Sequence, residues 1–101
     1  MRKVRVSDLA ERDLDKIWYY IAKDSGSIEI ADRVVESISE TFSLLAQNPD
    51  AGIHRDKIEP GVRGFPVGKY IVYYRSVGEH VEISRVIHGM RDQKSAFADE
   101  D

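Results

Sequence analysis

The hydrophobic period of this chain changes once, near Gly61, and that change decides most of what the chain can fold into. Before it, apolar residues recur at helical spacing. Ala10, Leu14, Ile17, Trp18 and Ile21 share one helical face, and Ala31, Val34, Val35, Ile38, Phe42 and Leu45 share another. After it, residues 62–67, 70–75 and 81–87 are rich in Val, Ile, Tyr and Phe, the composition of strands. An earlier short strand is predicted over residues 3–7, where Val4 and Val6 alternate with Lys3 and Arg5.

The punctuation agrees with these elements. Ser7 is placed to cap the first helix, with Asp8 and Glu11 in the first turn, where the helix dipole favours acids. Asp24-Ser25-Gly26-Ser27 breaks the pattern and offers a second cap at Ser25 or Ser27. Asn48-Pro49-Asp50-Ala51-Gly52 ends the second helix, and the short connection predicts an antiparallel helical hairpin. Gly68-Lys69 and the stretch from Ser76 to His80 around Gly78 read as β-hairpin connections. Pro66 suits a strand end or an edge. The expected fold is α+β in the order β-α-α-β-β-β. The helical hairpin packs on one face of a mainly antiparallel sheet, and the first strand lies at an edge or beside a later strand. We expect one domain over residues 1–92 and an acidic tail over 93–101, a short helix or a frayed end.

Composition narrows the function. Without cysteine the chain has no disulfide scaffold, no thiol nucleophile and no Cys-based zinc site. No apolar run approaches the roughly 20 residues of a membrane span, and the start Met1-Arg2-Lys3-Val4-Arg5 does not resemble a signal peptide, so a cytoplasmic protein is expected. The net charge of −3 is unevenly spread: −3 over residues 1–52, +3 over 53–91 and −3 over 92–101. An acidic whole with one basic segment argues against a general nucleic-acid binder.

Most candidate chemistry falls in the sheet half: Arg63, Tyr70, Tyr73, Tyr74, Arg75, Arg85, His88 and Arg91. Arginines with a histidine and tyrosines could hold phosphate and move protons. The ordinary reading stands beside this one. An arginine on a sheet commonly pairs with a neighbouring acid, and a histidine before a glycine commonly bonds at a strand end. Tyr73 and Tyr74 point to opposite faces, so at least one is expected in the core. Trp18 is expected in the core or an interface. His54 and His80 are solitary, no metal-ligand spacing is present, and no metal or cofactor is expected.

Four segments carry a family resemblance. Asp13-Leu14-Asp15-Lys16-Ile17-Trp18-Tyr19-Tyr20-Ile21-Ala22 resembles the first helix of ParE-like toxins. Leu44-Leu45-Ala46-Gln47-Asn48-Pro49-Asp50-Ala51-Gly52 resembles the end of their second helix. Residues 61–75 look like their first sheet hairpin, and residues 81–92 look like their last strand and its exit. Together, in this order, they resemble the RelE/ParE toxin superfamily of type II toxin–antitoxin systems, on its ParE-like branch. The resemblance implies a helical hairpin on a curved antiparallel sheet. It also implies a ParD-like, ribbon–helix–helix antitoxin that neutralises the toxin in a hetero-oligomer and alone contacts operator DNA.

The superfamily divides by activity. ParE-like members inhibit DNA gyrase by binding it, whereas RelE-like members are ribosome-dependent mRNA endoribonucleases. A third possibility is a weakly toxic or inactive member serving mainly as its antitoxin's partner. The nuclease reading would use Arg63 and His88. Gly89 stands where a tyrosine would follow His88, and the lysine cluster of the nucleases is missing, so the gyrase reading is preferred and catalytic residues are not required. Target contact is assigned to Arg63, Arg75, Arg85, His88 and Arg91, with the tail as a second contact. Antitoxin binding is assigned to Trp18, Tyr19, Tyr20 and Tyr73.

Overall fold

A computed structural model describes residues 3–100. Met1, Arg2 and Asp101 lie outside the described residues, so the expectation for the last acid of the tail finds no counterpart. The elements run β1 (Lys3–Val6), α1 (Asp8–Ser25), α2 (Ile28–Gln47), β2 (Ile53–His54), β3 (Arg63–Val67), β4 (Tyr70–Val77), β5 (His80–His88) and α3 (Gln93–Ala98).

Ser7 is a junction. Its backbone amide donates to the Ile83 carbonyl, its hydroxyl donates to the Ser84 carbonyl, and the same oxygen accepts the Ala10 amide to cap α1. The start of α1 is thereby tied to the strand it packs on. Gly26 closes α1 in the left-handed region at φ 69°, which a side chain would oppose. Ser27, the second of the two expected candidates, caps α2 by accepting the Ile30 amide.

The sheet is mixed, five-stranded and open, in the order β1-β5-β4-β3-β2. β1 lies at one edge, parallel to β5, and the other pairings are antiparallel. The two-residue β2 pairs Ile53 with Gly64 and His54 with Arg63; it was not expected, because two residues carry no period. Pro66, in β3 beyond the reach of β2, costs the ladder no hydrogen bond.

Both faces of the sheet are covered. Ala10, Ile17, Ile38, Phe42 and Leu45 from the helices pack on Tyr70, Val72, Tyr74, Val81, Ile83 and Val86. On the other face, Val62, Tyr73 and Ile87 pack with Ala96 of α3. Tyr73 and Tyr74 therefore both belong to the interior, one on each face. Opposite the two tyrosines, β5 carries a β-bulge. Tyr73 opposes Arg85 while Tyr74 opposes Ile83, so Ser84 is the extra residue of β5. The bulge reverses the alternation: Val81 and Ile83 face the helices before it, and Val86 faces them after it.

Candidate functional site

The expected contact residues do not form one cluster. Arg85 is a correction: it is buried, 4% exposed, and cannot meet a target. Its Nε and Nη2 donate to the two oxygens of Asp13 on α1 at 2.8 and 2.9 Å. Its Nη1 donates to the carbonyls of Ala96, Phe97 and Asp99, the open end of α3. Asp13 also accepts the Val86 amide, past the point where β1 stops covering the edge of β5. The two charges therefore bridge α1, β5 and α3. The hydrogen bond to Asp13, which outweighs the cost of burial, holds the Arg85 pKa above its ordinary value. Sequence reasoning missed Asp13, although its place beside Ala10, Leu14 and Ile17 on the inward face of α1 was a usable signal.

Arg63 is half-buried and faces the loop after α2. Its Nη1 donates to the Gly52 carbonyl at 2.8 Å, and its Nη2 lies 3.3 Å from Asp50. The same loop is pinned by Tyr74, whose hydroxyl donates to the Pro49 carbonyl and accepts the Gly52 amide at 2.7 Å. A Cβ on Gly52 would meet the Tyr74 ring and hydroxyl at 2.7 Å, so glycine is required there by close approach. Arg75 is exposed and pairs with Glu82 across the hairpin at 3.3 Å.

His88 and Arg91 lie together at the opposite end of the sheet. The His88 ring meets Tyr70 edge-on, with centroids 5.2 Å apart. Its Nδ1 accepts the Met90 amide, which leaves the proton of the neutral ring on Nε2. Gly89 donates to the Lys69 carbonyl at 2.8 Å, so the β3–β4 turn and the exit of β5 form one tip, with Met90 88% exposed. Arg91 is exposed and lies 3.7 Å from Asp99. The Tyr70–His88 pair was invisible in the sequence, since it arises from strand register.

The four residues assigned to the antitoxin also separate. Tyr73 is the second correction: it is fully buried, donates to Gln93 Oε1 at 2.7 Å and stacks edge-on with Phe97. Trp18 is half-buried, and its Nε1 donates to Asp32 at 2.7 Å, stapling α1 to α2. Tyr19 and Tyr20 are each 64% exposed. Among the described residues, no group of three or more His, Asp or Glu could hold a metal ion, and no helix is long and apolar enough to cross a membrane.

The fold is that of small toxin chains from toxin–antitoxin systems. It resembles a chain of "Chromosomal ParDE TA system from P. aeruginosa" with TM-score 0.77 and 27% identity, over 87% of this chain and 96% of that one. It also resembles a chain of the toxin-antitoxin complex RelBE2 from Mycobacterium tuberculosis with TM-score 0.60 and 26% identity, over 86% and 96% of the two chains. Toxin ParE1 of Caulobacter vibrioides is 36% identical over 88 residues, covering 87% of this chain and 90% of the relative. Toxin ParE3 of the same organism is 32% identical over 77 residues, covering 76% of each. The family described as "ParE toxin of type II toxin-antitoxin system, parDE" matches residues 4–93, and this chain belongs to it.

Proposed function

We propose that this ParE-family toxin acts by binding and inhibiting DNA gyrase in the cytoplasm, and that a cognate antitoxin neutralises it. The observation that carries the reading is the family match over residues 4–93. The geometry supports a binding activity over nuclease chemistry. Arg63 opposes Tyr74 and His88 opposes Tyr70 along β4, a separation of four residues or about 13 Å. Arg63 is moreover anchored to the loop after α2. This separation favours binding over a shared role of the two residues at one scissile phosphate.

His88 and Arg91 at the tip, with exposed Met90 beside them, are the target contact in this account, and Arg75 is a separate exposed candidate. The antitoxin is proposed to cover α1 through Tyr19 and Tyr20, with its acids near the basic residues of the sheet end. It is taken to be ParD-like and to carry the operator contact of the complex through a ribbon–helix–helix domain. Charge reversal separates the two surfaces. Arg91→Glu should abolish toxicity while antitoxin binding, weakened by the lost charge, stays measurable through the α1 surface; retained toxicity would remove the tip from the target contact. Reversal at Arg85 is not an equivalent test, because it would leave Asp13 buried against a like charge.

A further inference from the structure

Two clefts meet at the Tyr70–His88 pair. One, of about 460 Å³, is lined by Asp13, Lys16, Ile17, Tyr20, Tyr70, Val86, His88 and Arg91. The other, of about 620 Å³, continues past Tyr20, Tyr70 and His88 to Asp24, Arg33, Lys69 and the start of α2. Both volumes lie in the range of small-molecule sites.

The polar groups in this double cleft are mostly donors. His88 carries its neutral-form proton on Nε2, because Nδ1 is taken by the Met90 amide. Burial, and then nearby Tyr20, raise the pKa of the Tyr70 phenol above its ordinary value. Four cations line the walls, Lys16, Arg33, Lys69 and Arg91; of these Lys16 already has a partner within the chain, and Arg91 lies 3.7 Å from Asp99. Of the two lining carboxylates, Asp13 is neutralised by Arg85, which leaves Asp24. A chain with a net charge of −3 thus concentrates positive charge around one aromatic cleft, where low-dielectric walls focus the field.

We propose that this cleft binds a phosphate ester of a nucleotide or nucleic-acid strand, the phosphate held by His88, Arg91 and Lys16 and the base lying against Tyr20. Aromatic rings accept any base by stacking, while charge-assisted donors hold the phosphate. The proposal goes beyond the gyrase reading and stands or falls on binding by the isolated chain. Tyr20 borders both this cleft and the proposed antitoxin surface, so antitoxin and ligand exclude each other.

The test titrates the full chain with inorganic phosphate, a nucleoside monophosphate and a short single-stranded oligonucleotide, read by amide NMR shifts and calorimetry. Saturable binding is expected, with shifts centred on Tyr20, Tyr70, His88 and Arg91. The oligonucleotide's log affinity should fall with log salt at a slope of about 0.7 per phosphate contacted. His88→Gln and Arg91→Ala should each weaken binding by roughly tenfold or more, while Lys57→Ala, in the loop before β3, should leave it unchanged. Should either variant lose the native spectrum, Lys16→Ala at an exposed helix position carries the same expectation. A mononucleotide as tight as the oligonucleotide identifies a free nucleotide as the ligand, and a tighter oligonucleotide identifies a strand. Absence of saturable binding, insensitivity to these variants, or an equal loss in Lys57→Ala would each overturn the proposal.

Discussion

Arg85 shows how burial reassigns a residue. Read along the strand it is one more cation on a basic sheet, yet its partner Asp13 lies 72 positions away in the sequence, beyond the reach of any local pattern. Removing one partner of a buried ion pair strands the other, so Asp13→Ala or Arg85→Ala should each cost about 3–5 kcal/mol in urea unfolding. Replacing both by apolar residues of similar volume should recover much of that loss. A single variant as stable as the parent would show that the pair does not hold α1, β5 and α3 together. Gly52 is a second case, since any side chain there collides with Tyr74. Gly52→Ala should cost about 1–3 kcal/mol through displacement of that ring, and unchanged stability would mean the loop yields without it. Neither cost could be foreseen from residue type, whereas the caps at Ser7 and Ser27 could, because their partners lie three residues on.

At the scale of elements, legibility followed sequence separation. The two helical faces, the turns at Gly68-Lys69 and Gly78 and the order of the main elements were readable because each rests on local spacing. The two-residue β2 was not readable, and neither was the bulge at Ser84, which is defined only against β4. Because the bulge reverses which face β5 presents, alternation along the chain alone does not assign the residues beyond it. The tail from Gln93, expected as a short helix or a frayed end, is the helix α3 over Gln93–Ala98; what local spacing did not reveal is that Ala96 and Phe97 pack over Val62, Tyr73 and Ile87. Truncation after Asp92 should uncover that apolar face and raise the binding of a hydrophobic dye, with loss of amide protection in β3 and β4. Unaltered dye binding and protection would mean that α3 does not seal the face.

The molecule as a whole is an acidic protein with a positively charged sheet end and a core built around tyrosines. Tyr70, Tyr73 and Tyr74 all have their pKa values raised, first of all by burial. A phenol with a raised pKa binds its proton more tightly in the folded state than in the unfolded one. Its contribution to stability is therefore intact below the unfolded value of about 10 and is lost as the pH rises through the folded value. Unfolding should accordingly become easier above that pH, with tyrosinate absorbance from these rings appearing together with loss of structure; stability independent of alkaline pH would contradict the buried-tyrosine account. The candidate contact residues were less legible than the fold. The basic residues named from sequence divide into a loop clamp at Arg63, a buried bridge at Arg85, a hairpin pair at Arg75 and the tip at His88 and Arg91.

The most direct measurement of the central claim is a gyrase supercoiling assay titrated with the purified toxin, alone and with its antitoxin. The account predicts dose-dependent inhibition that the antitoxin relieves and that Arg91→Glu removes without unfolding the protein. Gyrase that supercoils normally in the presence of folded toxin would contradict it.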